Sequence, residues 1–205
     1  MKLAIIIGHN SVRQGANGTA PISQSEFNFN SEVAEIMDAE ATLYGIDAKI
    51  FRRRNRTSTR AEIEEVYGRS DDWGADLSVE LHFNAFNGTV RGTETLCGPS
   101  QASLQAATSI HMELLDLYDR TVSEDRGLKP YRPGMRGGLS LISGRAPAVL
   151  VEPFFGDNAA EARLAMDTGI EALAKAYVTG VAGHFGTTPL MAGVPTATPD
   201  LAHLM

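Results

Sequence analysis

Apolar and polar positions alternate along this chain in two distinct periods, and the switch between them marks out the elements. Leu3–Ile7 is a short unbroken apolar run rich in isoleucine, the signature of a buried strand. A glycine-rich loop follows, and from Ser25 the apolar positions Phe29, Val33, Ile36, Met37, Ala41 and Leu43 recur every three or four residues, predicting a helix stopped at Gly45. Asp47–Arg53 reads as a second strand, and Thr59 to Glu62 as a capping box opening a helix to about Arg69. Strands are expected at 75–85 and 92–97. A helix is expected over Ser100–Tyr118, with Leu104, Ile110, Leu114, Leu115 and Tyr118 facing inward. Thr121 to Gly138, rich in Gly, Pro and Arg, reads as loop. A last strand covers 147–155, Asn158 and Glu161 form an N-cap pair, and helix runs on to about His184.

Strands alternating with helices define an α/β class: a single domain with a mostly parallel twisted sheet and helices on both faces. The domain is expected over 1–186. Residues 187–205 mix Pro, Thr and Gly without periodicity and read as a flexible C-terminal tail. No internal repeat is visible.

Composition narrows the function. A net charge of −7 argues against a nucleic-acid binder, which needs a basic surface. The local exception, "RRRNR" at 52–56, reads as a solvated strand end or turn, with substrate contact as the other reading. The lone Cys97 permits no intrachain disulfide and no cysteine cluster for a metal. No window reaches the apolar length of a membrane helix, so membrane insertion is not expected. Lys2 precedes too short an apolar run for a signal peptide, so the chain is expected to be cytoplasmic as synthesised. Nothing in the sequence fixes an oligomeric state.

Polar residues that interrupt the apolar runs carry the chemistry. In open α/β sheets ligands collect at the carboxyl ends of the strands. His9 lies just past the first strand, His82 late in "LSVELHFNA" and Glu152 late in "PAVLVEPFF". Each has an ordinary reading, as a loop cap for the histidines or a paired acid for Glu152, but all three fall on one edge. A buried carboxylate among Val151, Pro153 and Phe154 demands compensation. Two histidines and an acid suggest zinc, which commonly takes a His2Glu set in hydrolases. Glu26, opening the first long helix, is the best-placed third ligand, although an acid there also suits the helix dipole.

The segments "IIIGHN", "SEFNFN", "LHFNA" followed by "GTE", and "PAVLVEPFFGDN" together resemble the ordered motifs of zinc-dependent N-acetylmuramoyl-L-alanine amidases of the Amidase_3 type. The likeness spans about 1–186 and includes Asn30 four residues after Glu26, Asn84 and Ala85 after His82, Gly92 before Glu94, and Asn158. It implies that His9, Glu26 and His82 bind Zn2+ and that Glu152 is the catalytic carboxylate. The implied activity is hydrolysis of the amide between N-acetylmuramic acid and the L-alanine of peptidoglycan stem peptides, in wall lysis or remodelling; a single domain of this kind resembles a phage-type endolysin acting at the cell wall after release, with a host enzyme acting on its own wall as the other reading. Two positions depart from the family pattern: Glu80 stands where serine is frequent, either backing the site or sitting in solvent beyond it, and Phe154-Phe155 replace Gly-Phe. Glu94 is expected to support the site or the sheet edge. His111, His184 and His203 read as surface or packing residues. The alternatives are another zinc peptidase or amidohydrolase, or a peptidoglycan-binding module without activity.

Overall fold

A computed structural model describes residues 1–190. Six strands form one sheet in the order β2-β1-β3-β6-β4-β5, with β1 Lys2–Ile7, β2 Asp47–Arg52, β3 Leu77–Leu81, β4 Thr93–Cys97, β5 Asp125–Pro130 and β6 Ala148–Glu152. β2, β1, β3 and β6 run parallel, β4 lies antiparallel to β6, and β5 is parallel to β4. The helices are α1 Glu26–Ala41, α2 Thr59–Trp73, α3 Gln101–Leu117, α4 Ala159–Thr168 and α5 Ile170–Phe185.

Strand alternation sorts the core into two layers. Leu3, Ile5 and Ile7 with Leu77, Val79 and Leu81 point into the layer filled by α1, α3 and α5, where Phe29, Val33, Ile110, Leu114 and Tyr177 pack. Ala4 and Ile6 face the other way, onto Ile63, Val66 and Tyr67 of α2. Helices therefore cover both faces, and the central strands are buried, β3 along its whole length and β1 from Leu3 onward, as parallel strands require. Strand direction then decides which residues meet. The carboxyl ends of β1, β3 and β6 share one edge, and antiparallel β4 brings its first residues to that edge too.

Several boundaries differ from the sequence expectation. The segment Thr121–Gly138 is not all loop: Asp125–Pro130 forms edge strand β5, whose sparse apolar content reflects its half-exposed place. Ser58, not Thr59, caps α2, its hydroxyl accepting from the Ala61 amide. Leu43 is exposed, because α1 ends at Ala41 and the chain tightens into a 3-10 turn that rotates it outward. Leu104 and Leu115 are only partly buried. Asn158 does cap α4, its side chain accepting from the amides of Ala160 and Glu161. Of the expected tail, Thr187–Leu190 are described and the Leu190 amide donates to the Leu43 carbonyl; 191–205, with His203, lie outside the described residues.

A buried ion pair ties the site edge to the body of the fold. Glu161 at the start of α4 and Arg120 after α3 both have fully buried side chains, paired at 2.7 Å. Glu161 also accepts from the Gly92 amide at 3.1 Å, and Arg120 donates to the Pro153 carbonyl just after β6. Burial alone would raise the Glu161 carboxyl, but Arg120 outweighs it and holds it below the usual glutamate range. A lowered carboxyl contributes stability that is present above its unfolded value and lost as pH falls through the folded one. Glu161→Ala is expected to lower the unfolding free energy at pH 7 by about 3–5 kcal/mol. In denaturant titrations its deficit from wild type should shrink below about pH 4.

Candidate functional site

The first strand does not simply end at Gly8; it delivers His9 in a left-handed conformation, with φ of 65°. The next residue fixes that turn. The Asn10 side chain accepts from the amides of Val12 and Arg13 at 2.9 and 2.8 Å. Arg13 in turn pairs with buried Glu62 of α2. Glu26 is the first residue of α1, set by the Ser25 cap, and its helix start points at the same edge.

Three groups converge there. Glu26 Oε2 lies 3.1 Å from His9 Nε2, and Glu26 Oε1 lies 2.6 Å from His82 Nδ1. One donor atom from each residue falls within 4.8 Å of the others, a grouping able to hold a metal ion. Backbone amides fix the central carboxylate: Ala16 N–H donates to Oε2 and Phe83 N–H to Oε1. Burial alone would raise the Glu26 carboxyl, but His82 and then His9 outweigh it and hold it well below the usual range. Glu26 is 4% exposed, whereas His9 opens toward solvent.

Two glycines make this approach possible. A Cβ at Gly8 would sit 2.3 Å from His82 Cε1, and one at Gly15 would sit 2.6 Å from Glu26 Oε2 and from His9 Cδ2. Gly15 also has a positive φ of 79°. The glycines flank the cluster because any side chain there would occupy the space of its imidazoles.

Glu80 backs the site; it is not in solvent. It is fully buried, and Oε1 lies 2.8 Å from His82 Nε2. Arg53 pairs with the same oxygen and also donates to Ser140 Oγ, while the Tyr67 hydroxyl donates to Oε2 at 2.9 Å. Burial opposes the charge on Glu80, yet Arg53 and His82 keep its carboxyl well below the usual range. His82 is thus gripped at both ring nitrogens by carboxylates. Burial disfavours its charged form, but Glu26 and Glu80 outweigh this and lift it to about 10. The run at 52–56 splits accordingly: Arg52, Arg54 and Arg56 pair at the surface with Glu35 or Glu65, whereas Arg53 is buried.

Glu152 ends β6 on the wall of a cavity of about 270 Å³ that also exposes His9, Glu26, His82, Asn84 and Arg136. Burial pushes its carboxyl up to about 7. Among the described residues it accepts no hydrogen bond, in contrast to Glu94, its antiparallel neighbour in register. Glu94 accepts from Asn84 Nδ2 at 2.8 Å and from Arg126 Nε at 2.9 Å, so it braces the rim as expected. Asn30 donates to the Glu26 carbonyl within α1. His111 packs inside, between Thr95 and Asp125, and His184 is partly buried on α5; both lie apart from the cluster.

The sequence reading singled out His9, Glu26, His82 and Glu152, and all four reach one cavity. It missed Arg53 and Tyr67, the partners of Glu80, and Arg136. Period-two alternation supplies the signal for Arg53, since it places residue 53 on the inward face with Phe51.

An α/β domain with a His-Glu-His cluster and a carboxylate at the carboxyl edge of its sheet is the class of protein that fold and site define. The sequence profile of Amidase_3, N-acetylmuramoyl-L-alanine amidase, matches residues 3–183, and the chain belongs to that family of enzymes. Among solved structures, the catalytic domain of the CD27L endolysin targeting Clostridia difficile is 28% identical with a TM-score of 0.76, covering 89% of this chain and 97% of that one. CwlD from Clostridioides difficile, in complex with the GerS lipoprotein, is 24% identical with a TM-score of 0.72, covering 91% and 99%. The catalytic domain of CwlV, an N-acetylmuramoyl-L-alanine amidase from Bacillus (Paenibacillus) polymyxa, is 21% identical with a TM-score of 0.74, covering 92% and 100%. The last two share the fold. No curated protein sequence matches the chain. No helix among the described residues is long and apolar enough to cross a membrane.

Removing one member of the Glu80–Arg53 pair strands a buried charge. Glu80→Ala should therefore cost about 3–5 kcal/mol of stability by urea denaturation, and Glu80→Ala combined with Arg53→Met should recover most of it. Additive losses in the double variant would contradict the coupling.

Proposed function

We propose that this enzyme is a zinc-dependent peptidoglycan amidase cutting the amide between N-acetylmuramic acid and the L-alanine of the stem peptide, and that it serves in lysis of the cell wall. The observation that carries the reading is the convergence of His9, Glu26 and His82 on a cavity whose wall bears the carboxylate of Glu152. In this reading residues 1–186 are the catalytic unit, and 187–205 take no part in the chemistry.

The donor set fits zinc. Two imidazoles and one carboxylate are borderline and hard donors of the kind this ion takes in hydrolases, so His9, Glu26 and His82 would hold it on the wall of the cavity. Backbone amides and buried Glu80 fix the orientation of Glu26 and of the His82 ring, as partners of metal ligands commonly do. When bound, zinc supplies a Lewis acid that acidifies water and polarises a carbonyl.

Glu152 does the proton work. A carboxyl raised by burial to about 7 both accepts and releases a proton near neutral pH. It would take the proton of the attacking water and return it to the nitrogen of L-alanine as the amide breaks. Among the described residues nothing donates a hydrogen bond to its carboxylate, which leaves both oxygens available for that transfer. Glu94, held by Asn84 and Arg126, keeps the rim beside it fixed.

Glu152→Ala should keep stoichiometric zinc, read by metal analysis, while turnover on purified peptidoglycan falls by at least 10²- to 10⁴-fold, roughly the contribution of a positioned acid–base group. His9→Ala and His82→Ala should lose both zinc and turnover. Wild-type turnover in Glu152→Ala would overturn its role, and full zinc content in the histidine variants would overturn the ligand set.

A further inference from the structure

Beside Glu152 stands a cation that the hydrolytic step leaves unused. Arg136, in the loop after β5, is exposed, lines the site cavity, and forms no ion pair or hydrogen bond among the described residues. It also lines the groove leading away from the site, together with Lys129 and Arg132. The one acid of that groove, Glu94, is already neutralised by Arg126 at 2.9 Å. In a chain of net charge −7 this groove is a local excess of positive charge that opens directly into the site.

Resting on the amidase reading, we infer that Arg136, with Lys129 and Arg132 beyond it, forms a carboxylate-binding subsite for the peptide half of the substrate. The two halves of peptidoglycan differ in charge. Once its lactyl group is in amide linkage, the glycan is neutral, whereas the stem peptide carries carboxylates, the first of them on the glutamate that follows L-alanine. A cationic groove that begins beside the catalytic carboxylate selects the anionic half. Arginine suits the task because its planar guanidinium pairs with a carboxylate through two parallel hydrogen bonds. Binding there sets the direction of the substrate, with the peptide running toward β5 and the glycan to the other side. It also makes the enzyme sensitive to whether the glutamate carboxylate is free or amidated, a modification that removes the charge.

The test uses the zinc-loaded enzyme and two purified peptidoglycans, one with a free glutamate carboxylate at the second stem position and one with that carboxylate amidated. Wild type should favour the free-acid wall. Arg136→Ala should lower kcat/KM on it by about 10- to 100-fold more than on the amidated wall, the range of a lost charge-assisted hydrogen bond, and so abolish the preference. Calorimetric titration with the dipeptides L-alanyl-γ-D-glutamate and its α-amide should show the same selective loss of affinity, independently of turnover. Equal losses on both walls, or none on either, would overturn the subsite. If wild type released no peptide from either wall, the amidase reading itself would fall, and the subsite with it.

Discussion

A carboxylate almost fully buried between two imidazoles is the constraint around which this fold is arranged. Glu26 has surrendered water, so its charge must be met by the groups around it, and His9, His82 and two backbone amides meet it. The partners come from three separate stretches of chain: the exit of β1, the exit of β3 and the loop before α1. The parallel order of β1 and β3 brings those exits together, and the Ser25 cap fixes where α1 begins. Glycine at positions 8 and 15 follows from the same constraint, because side chains there would fill the space of the two imidazoles.

A second layer of buried charge keeps the first in place. Glu80 grips the far nitrogen of His82, and Arg53 and Tyr67 from the α2 side neutralise and orient Glu80. On the other flank Glu161 and Arg120 anchor the chain around Gly92 and Pro153, which fixes the rim that carries Glu94 and Glu152. Broken buried pairs are costly, so these two clusters make the edge rigid, and rigidity is what a preorganised hydrolytic site requires. Among these acids only the carboxylate of Glu152 receives no hydrogen bond from a described residue, the freedom that the proposed proton exchange requires.

Much of this was legible in the sequence because the signals are local. The isoleucine run of β1, the helical period after Ser25 and the polar residues interrupting strands at 9, 82 and 152 are visible without knowing the partners. Partner choice is not local. Nothing near Glu80 says whether it meets Arg53 or solvent, because that depends on β2 and α2 folding onto the same face of the sheet. Strand β5 escaped for a related reason: Asp125–Pro130 lies at a half-exposed edge and has no apolar alternation to betray it. Arg136 was hidden in the same stretch, its place beside Glu152 set by how the loop after β5 folds back. Leu43 shows the reverse error, an apolar residue in helical register that the chain turns outward one step after the helix has ended.

The central claim is that this edge hydrolyses the amide linking glycan to peptide. Mass spectrometry of purified peptidoglycan digested by the zinc-loaded protein tests it most directly. The account predicts free stem peptides beginning with alanine, beside intact glycan whose muramic acid carries an unsubstituted lactyl group. Fragments cut within the stem peptide, or a wall left whole, would contradict it.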